Sequence, residues 1–134
     1  MNRRFSILLV DDDEDARFLL GAMLRRRGFE VEVVGSAAEC LERLEAEPSR
    51  IVVTDVQMPE MSGIELCRQI RERFPEVVAV VVSGAATPHV RAEVSEAGAF
   101  SFLPKPVTIA ALEAAILEAS GASAARGSAL GTPA

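Results

Sequence analysis

The feature that most constrains the fold is an alternation between short apolar runs and longer segments with helical periodicity, repeated five times along the chain. These strand-like runs lie at residues 5–10, 30–34, 51–53, 77–83 and 100–103, and the second, EVEVV, alternates Glu with Val. After each run, apolar residues recur at spacings of three and four, which is the period of an amphipathic helix. Only a few residues join each strand to its helix, and such repeated units favour a parallel sheet with right-handed crossovers. The chain is therefore predicted to be an α/β three-layer sandwich of five strands and five helices.

Local signals mark where the predicted helices begin. Residues 36–39 and 62–65 each carry a Ser followed by a Glu three positions later, which is a capping-box pattern. Thr87 before Pro88, and Thr108 before the last helix, supply further N-caps. These signals give the expected N-terminal ends of the last four helices.

The first helix is predicted at residues 16–27. Phe18, Leu19, Ala22 and Met23 stand there at three- and four-residue spacing, so they are expected to face the core.

Composition predicts a single domain inside the cell. A chain of 134 residues is long enough to build one hydrophobic core. Cys40 and Cys67 fall at apolar helix positions, which fits reduced thiols better than a disulfide framework. The run at residues 77–82 is too short to span a membrane, and acidic residues interrupt the N-terminal stretch before a signal-peptide core could form. A cytoplasmic location is therefore expected.

The charge balance argues against nucleic acid as a partner of this domain. The net charge is −6 at pH 7, so the domain as a whole has no basic footprint. The arginines at 25–27 form a basic cluster, but they fit the last turn of the first helix, where cations complement the helix dipole.

The sequence changes character from about Ser120, where it becomes small, polar and aperiodic. Such a segment cannot bury enough surface to order itself. The domain is therefore predicted to occupy residues 1–120, with 121–134 as a flexible tail or the start of an interdomain linker.

Asp55 stands one residue after Thr54, where the third predicted strand should end. Asp55 is therefore placed on a rim of the sheet, and Pro59 biases the preceding residue away from helix, so residues 57–59 should continue as a loop. The carboxyl ends of strands are where open α/β sheets carry their chemistry. A capping role for Asp55 in that loop is the alternative interpretation.

Polar and charged residues mark the ends of four predicted strands. Asp11 and Asp12 follow the first strand, Asp55 the third, Ser83 the fourth and Lys105 the fifth. A flavodoxin-like strand order 2-1-3-4-5 makes the first and third strands neighbours and brings the three carboxylates together. Like charges about 4 Å apart repel by roughly 4 kcal/mol at an effective dielectric constant of about 20, so the cluster needs a cation. Oxygen ligands with room for water favour Mg²⁺.

Lys105 and Ser83 complete the predicted chemistry. The lysine ammonium is a second positive charge, and the serine hydroxyl is a neutral donor to an oxyanion. Together with Mg²⁺ these groups are suited to form and stabilise a phosphorylated aspartate. A solvated surface position is the alternative interpretation of Lys105.

Several neighbouring residues have structural interpretations. Asp13 and Asp15 are expected to be the N-cap and a first-turn acid of the first helix. His89 is expected on the polar face of the fourth helix. Met58 and Met61 are expected to pack a loop.

The joint order of these motifs resembles the receiver domain of two-component response regulators over about residues 5–120. The matching motifs are Val10-Asp11-Asp12, Asp55 with Met58-Pro59 and Gly63, Ser83-Gly84, and Lys105-Pro106. The resemblance implies a phosphorylation-activated switch of a two-component or phosphorelay pathway. Asp55 would accept the phosphoryl group from a sensor histidine kinase or a histidine phosphotransfer protein.

The resemblance also implies a ligand set for Mg²⁺. Asp12, Asp55 and the backbone carbonyl of Gln57 would bind the ion directly, and Asp11 would act through water. Ser83 would contact the phosphoryl oxygen.

The remaining implied roles concern the switch. Lys105 would pair with the phosphoryl group, and Ser83 with Phe102 would change position on activation. A cis peptide bond is implied before Pro106. At position 83 this chain has serine where threonine is frequent in the family, and the substitution keeps the hydroxyl. Phe102 lacks the hydroxyl of the tyrosine that some members carry, so its switching rests on packing.

Partner contacts are implied on the face of the fourth helix, fifth strand and fifth helix, for a homodimer or an output domain. The domain alone would contact neither nucleic acid nor membrane, and its activity would be limited to self-phosphorylation from a donor and self-dephosphorylation. One alternative is the N-terminal receiver part of a longer transcriptional regulator with a DNA-binding or ATPase output domain. A remote alternative is a haloacid dehalogenase-type phosphohydrolase. Asp11 and Asp13 fit the start of its first-strand motif, but Asp15 occupies the place of its threonine.

Overall fold

The computed structural model describes residues 6–47 and 51–131, and in the last helix it describes side chains as far as Ala122. Within these ranges the strands are β1 (Ser6–Val10), β2 (Glu30–Val34), β3 (Ile51–Asp55), β4 (Val78–Ser83) and β5 (Ser101–Pro104). The helices are α1 (Glu14–Arg26), α2 (Ala37–Ala46), α3 (Gly63–Arg73), α4 (Pro88–Glu96) and α5 (Ile109–Gly131). The strands pair in parallel in the order β2-β1-β3-β4-β5. The predicted α/β sandwich with strand order 2-1-3-4-5 is confirmed.

β4 shows why helices cover the sheet on both faces. Its sequence, VAVVVS, has no polar alternation, and every residue in it is buried. A parallel strand of this composition is stable only when both of its faces are shielded from water. Its register places Val82 opposite Asp55, so β3 and β4 end at the same edge.

The side chains of β1 divide between the two helical layers. Ile7 and Leu9 pack in the core formed with α1 and α5. Leu8 and Val10 pack in the core formed with α2 and α3. Successive strand residues point to opposite faces, so the period of β1 places one core on each side of the sheet.

The predicted N-caps of the last four helices are confirmed. In each, the cap side-chain oxygen accepts a hydrogen bond from a backbone N–H three residues later, as expected for an N-cap. The pairs are Ser36 with Glu39 at 3.1 Å, Ser62 with Glu65 at 3.2 Å, Thr87 with Val90 at 3.2 Å and Thr108 with Ala111 at 3.1 Å.

The predicted inward face of α1 is wrong for Phe18 and Leu19, while Ala22 and Met23 are half-buried. Phe18 is 78% exposed and Leu19 is 62% exposed, whereas Leu24 is fully buried and Leu20 packs against the core. The apolar stretch is almost continuous, so more than one stripe satisfies the helical spacing. Gly21 resolves the choice, because it lies so close to the sheet that an added Cβ would meet Val33 Cγ1 at 3.2 Å.

The last helix is longer than predicted. α5 continues to Gly131 instead of ending near Ser120. Residues 121–131 contain four alanines and no proline, and alanine has the highest intrinsic helix propensity. Residues 132–134 of the predicted tail lie outside the described residues, as does Phe5 at the start of the first strand. The domain limit at residue 120 stays a prediction.

Cys40 and Cys67 are free, buried thiols on α2 and α3. Over residues 6–47 and 51–131, no helix has the length and apolar character needed to cross a bilayer.

Candidate functional site

The parallel sheet gathers the chemically active residues at one edge. Asp11 directly follows β1, Asp55 and Ser83 are the last residues of β3 and β4, and Lys105 directly follows β5. Because all strands run in the same direction, their carboxyl ends meet at this edge. The topology therefore brings together residues that are far apart in sequence.

Lys105 lies between two of the carboxylates. Its Nζ donates to Asp55 Oδ2 at 2.8 Å and lies 3.8 Å from Asp11 Oδ2. Its backbone N–H donates to the Ser83 carbonyl at 2.9 Å, which fixes the start of the loop, and the following bond to Pro106 is cis. Burial lowers the pKa of Lys105, but the hydrogen bond and charge of Asp55, with the charge of Asp11, outweigh it and raise the pKa overall. The lysine is therefore a cation at neutral pH.

Asp55 uses its two carboxylate oxygens differently. Oδ1 accepts a hydrogen bond from the Gln57 backbone N–H at 3.1 Å, and Oδ2 receives the Lys105 ammonium. The first contact is the loop-capping role foreseen as the alternative interpretation. It describes only one oxygen, because the other faces the cation.

Asp11 is a buried carboxylate, 7% exposed. It accepts a hydrogen bond from the Asp13 backbone N–H at 2.9 Å. Burial raises the pKa of Asp11, and the charges of Asp55 and Asp12 add to the rise. The Asp13 hydrogen bond and Lys105 oppose it without cancelling it. Asp12 is exposed.

The candidate ligand atoms are of the kind that Mg²⁺ prefers, but they do not form a complete coordination site. Asp11, Asp12, Asp55 and the Gln57 carbonyl are hard oxygen ligands, which this ion prefers. Among the described residues, no three carboxylate, imidazole or thiol side chains converge as they would around a metal. Lys105 instead provides the positive charge next to Asp55 and Asp11.

Gly63 allows α3 to begin directly against the end of β3. Its N–H donates to the Val56 carbonyl at 2.9 Å, and an added Cβ would lie 2.0 Å from the Asp55 carbonyl oxygen. No larger residue fits without displacing the backbone of the site.

Ser83 and Phe102 are the predicted switch residues. Ser83 is fully buried, and its Oγ accepts a hydrogen bond from the Ala85 N–H at 3.1 Å. The half-buried ring of Phe102 is covered by the Arg91 guanidinium, with 4.8 Å between the guanidinium carbon and the ring centroid. Arg91 Nε also donates to the Ala86 carbonyl at 3.4 Å. Arg91 thus connects the loop after Ser83 with the aromatic ring.

Two arginines near the site were not identified from the sequence. Arg91 contacts a ring on β5, and Arg17 donates to the Asp11 backbone carbonyl at 2.8 Å. Both contacts join residues of different secondary-structure elements, so they depend on tertiary packing. Neither arginine belongs to a sequence motif that would have identified it.

The structural interpretations of nearby residues are confirmed. Asp13 caps α1 by accepting from the Asp15 and Ala16 N–H groups at 3.0 and 3.3 Å. The His89 side chain is 84% exposed beside Glu93. Met58 and Met61 pack against the core cluster that includes Leu8, Leu66 and Val77.

An apolar groove opens beside the site, between α1 and the loop after β5. Its volume is about 560 Å³, and its walls include Leu19, Met23, Lys105 and Pro106. The exposed ring of Phe18 lies next along the same helix.

The fold and site together define a doubly wound α/β domain with a lysine-paired aspartate at the carboxyl ends of its strands. The chain belongs to the response regulator receiver domain family, whose sequence profile matches residues 7–117. The predicted phosphorylation switch of two-component signalling is thereby confirmed at the level of the family. The match decides against the haloacid dehalogenase alternative.

The relatives include full-length regulators and isolated receiver domains. The C4-dicarboxylate transport transcriptional regulatory protein DctD of Rhizobium meliloti is 35% identical over 101 residues, which are 75% of this chain and 22% of that protein. Response regulator MprA of Mycobacterium leprae is 34% identical over 110 residues, which are 82% of this chain and 48% of that protein. A solved CheY-like receiver domain protein from Methanospirillum hungatei JF-1 has a TM-score of 0.83 at 29% identity and covers 90% of this chain and 97% of its own. The chain thus spans about a fifth to a half of the two curated relatives.

Proposed function

We propose that Asp55 accepts a phosphoryl group from a phosphohistidine of a partner kinase or phosphotransfer protein. The observation that carries this proposal is the 2.8 Å contact between Lys105 Nζ and Asp55 Oδ2. An aspartate at the carboxyl edge of the sheet, beside a cation, is placed to act as a nucleophile towards an anionic donor.

The transfer joins an Asp55 carboxylate oxygen to phosphorus while the phosphorus–nitrogen bond of the donor breaks. The electron pair of that bond leaves with the imidazole. Negative charge spreads over the phosphoryl oxygens during this step, so a fixed cation stabilises the transition state. Lys105 supplies that charge, because its raised pKa keeps it protonated.

Mg²⁺ would be held by Asp12, Asp55 and the Gln57 carbonyl, with Asp11 acting through water, and would neutralise further phosphoryl charge. Asp11 suits an indirect role because it is buried and already accepts the Asp13 N–H. Asp12 is exposed, so it can approach an ion from the solvent side.

Phosphorylation would change the surface of α4 and β5. A phosphoryl group adds a charge of roughly −1.5 to −2 at Asp55. It attracts Lys105 and offers the Ser83 hydroxyl an acceptor, so the loop that starts α4 shifts. Arg91 contacts both that loop and Phe102, and the change therefore reaches the face formed by α4, β5 and α5. A homodimer or an output domain would recognise this face.

The phosphodonor would dock on α1 and the loop after β5. The donor imidazole must approach the edge that carries Asp55, and the groove beside that edge has apolar walls. Leu19 of the groove wall and Phe18, the preceding residue of α1, are large apolar side chains left exposed. A helical partner surface would bury them.

The output would be transcriptional. DctD is a transcriptional regulatory protein, and the match covers 22% of it, so a receiver of this kind also works within a longer regulator. A DNA-binding or ATPase domain joined after α5 would then read the switched face. The domain itself would turn over no external phosphomonoester and would lose its own phosphoryl group by hydrolysis.

Intact-protein mass spectrometry after incubation with Mg²⁺ and acetyl phosphate tests the phosphoacceptor. Wild type should gain one phosphate, while Asp55→Asn and an EDTA-treated sample should gain none. An unchanged adduct on Asp55→Asn would overturn the assignment of Asp55. No adduct on wild type, together with no response to beryllofluoride, would overturn the proposed switch.

A further inference from the structure

Arg17 reaches back from the second turn of α1 to the end of β1. Its Nη1 donates to the Asp11 backbone carbonyl at 2.8 Å, and the contact is partly buried. The acceptor is a neutral carbonyl at the point where the strand turns into the acidic loop. Among the described side chains, no carboxylate forms an ion pair with Arg17.

Gly35 provides the space that the Arg17 guanidinium occupies. A Cβ at position 35 would lie 2.9 Å from Arg17 Nη1 and 3.4 Å from its Cζ. Gly35 directly follows β2, and the Asp11 N–H donates to the Val34 carbonyl at 3.2 Å. The guanidinium therefore lies across the adjoining ends of β1 and β2.

This contact fixes the orientation of the peptide group between Asp11 and Asp12. A trans peptide is planar, so holding the Asp11 carbonyl also sets the direction of the Asp12 N–H and Cα. The Asp11 carboxylate is held separately by the Asp13 N–H. Asp12 is exposed, and its position depends on the backbone that precedes it.

We propose that Arg17 is a positioning residue for the magnesium site, and that Gly35 is small in order to admit its guanidinium. Arg17 acts through the Asp11 carbonyl on the placement of Asp12 and does not touch the ion. The inference rests on the proposed role of Asp12 as a ligand. Residues that orient metal ligands without touching the metal typically contribute about 10- to 100-fold in metal affinity.

Arg25 offers a matched control on the same helix. Its Nη2 donates to the Val31 carbonyl at 2.7 Å, so it also links α1 to a strand backbone, away from the acidic loop. Arg17→Met and Arg25→Met each remove one such bond and keep an unbranched apolar stem. A purely structural role for Arg17 predicts that both variants behave alike.

The test is isothermal titration calorimetry of Mg²⁺ into each variant, with thermal unfolding followed by circular dichroism. Calorimetry is suitable because the chain has no tryptophan or tyrosine to report binding. Arg17→Met should raise the Kd for Mg²⁺ about tenfold. Arg25→Met should keep the wild-type Kd, and Arg17→Lys should recover part of the affinity.

Gly35→Ala provides an independent perturbation that leaves Arg17 in the sequence. The added methyl displaces the guanidinium and should raise the Kd in the same direction. Because both changes act on one contact, the double variant Arg17→Met/Gly35→Ala should bind no more weakly than Arg17→Met alone. Additive losses would contradict a shared mechanism.

Phosphorylation by acetyl phosphate gives a second readout. Arg17→Met should need more Mg²⁺ for half-maximal phosphorylation and reach the wild-type rate at saturating Mg²⁺. Wild-type affinity in folded Arg17→Met or in Gly35→Ala, or an equal loss in Arg25→Met, overturns the role of Arg17. A wild type that is phosphorylated but binds no Mg²⁺ also overturns it and leaves the assignment of Asp55 intact.

Discussion

The guanidinium of Arg91 covers the ring of Phe102 at 4.8 Å and, through Nε, also donates to the Ala86 carbonyl. A cation over an aromatic face contributes about 0.5–1 kcal/mol at exposed sites. Arg91→Gln should therefore release the ring and raise the apparent affinity for beryllofluoride about two- to fivefold, since it removes a contact of the resting state. Fluorine NMR of 4-fluorophenylalanine incorporated at position 102 would follow the ring directly. Arg91→Lys should fall between Arg91→Gln and wild type, and an unchanged beryllofluoride affinity in Arg91→Gln would contradict the coupling.

Lys105→Met should separate catalysis from metal binding. Loss of the ammonium removes the fixed cation at the transferring group, and phosphorylation by acetyl phosphate should slow about 100-fold. The same change frees Asp55 Oδ2, so Mg²⁺ should bind more tightly by calorimetry. Weaker Mg²⁺ binding in this variant would show that the lysine organises the carboxylates instead of competing with the ion.

Gly63→Ala should be strongly destabilising. The new Cβ would lie 2.0 Å from the Asp55 carbonyl oxygen, and two backbone segments must separate to admit it. We expect a loss of about 3 kcal/mol or more in the free energy of unfolding, measured by urea denaturation. Gly84→Ala is the control, because an added Cβ there meets no atom within 4 Å. Equal stability of the two variants would refute the close approach.

The buried thiols should be unreactive in the folded protein. Burial raises the pKa of Cys40 and of Cys67 from 9.0 to about 12, so the thiolate fraction at pH 8 falls about 1,000-fold. Ellman's reagent should label both thiols rapidly in urea and very slowly without it.

The same pKa shifts give a pH dependence of stability. Because the folded-state pKa lies above the unfolded value, the contribution of these thiols is complete below about pH 9 and declines as the pH rises towards 12. In the labelling experiment with Ellman's reagent, rapid reaction of the two thiols in the native protein would instead show that the helices open locally.

Phe18→Ala should impair phosphotransfer from a cognate kinase without affecting phosphorylation by acetyl phosphate. The ring is 78% exposed on α1, one residue before the groove-lining Leu19, and an exposed apolar anchor at a docking surface typically accounts for about tenfold in kcat/KM when truncated. Leu117→Ala on α5 is the control, because Leu117 is 42% exposed and belongs to a different helix. An equal effect on acetyl phosphate labelling would place the defect in the chemistry and not in docking.

The sequence predicted what depends on local signals and on topology. The caps at Ser36, Ser62, Thr87 and Thr108 act within one turn, so nearby residues were sufficient to identify them. The pairing of Lys105 with Asp55 follows from strand order, because parallel strands bring their ends together.

The errors and omissions concern features that tertiary packing determines, such as the buried face of a helix and the partner of an arginine. The nearly continuous apolar run around Phe18 and Leu19 allows several helix rotations, and tertiary packing, including the close approach of Gly21 to Val33, selects one. Arg17 binds a backbone carbonyl and Arg91 covers an aromatic ring. No sequence pattern around either arginine indicates such a partner. The Mg²⁺ ligand set stays a prediction, and the sequence did not show that the Lys105 ammonium would lie next to two of its carboxylates without a bound ion.

The Lys105 ammonium has a consequence for how far folding would depend on a bound metal ion. Many small metal-binding domains are unfolded until the ion arrives, because metal binding supplies most of their folding free energy. Here the chain carries its own counter-ion at Asp55 and Asp11. We therefore expect the domain to fold without magnesium, so that the ion would serve phosphoryl transfer and would not be a component of the scaffold.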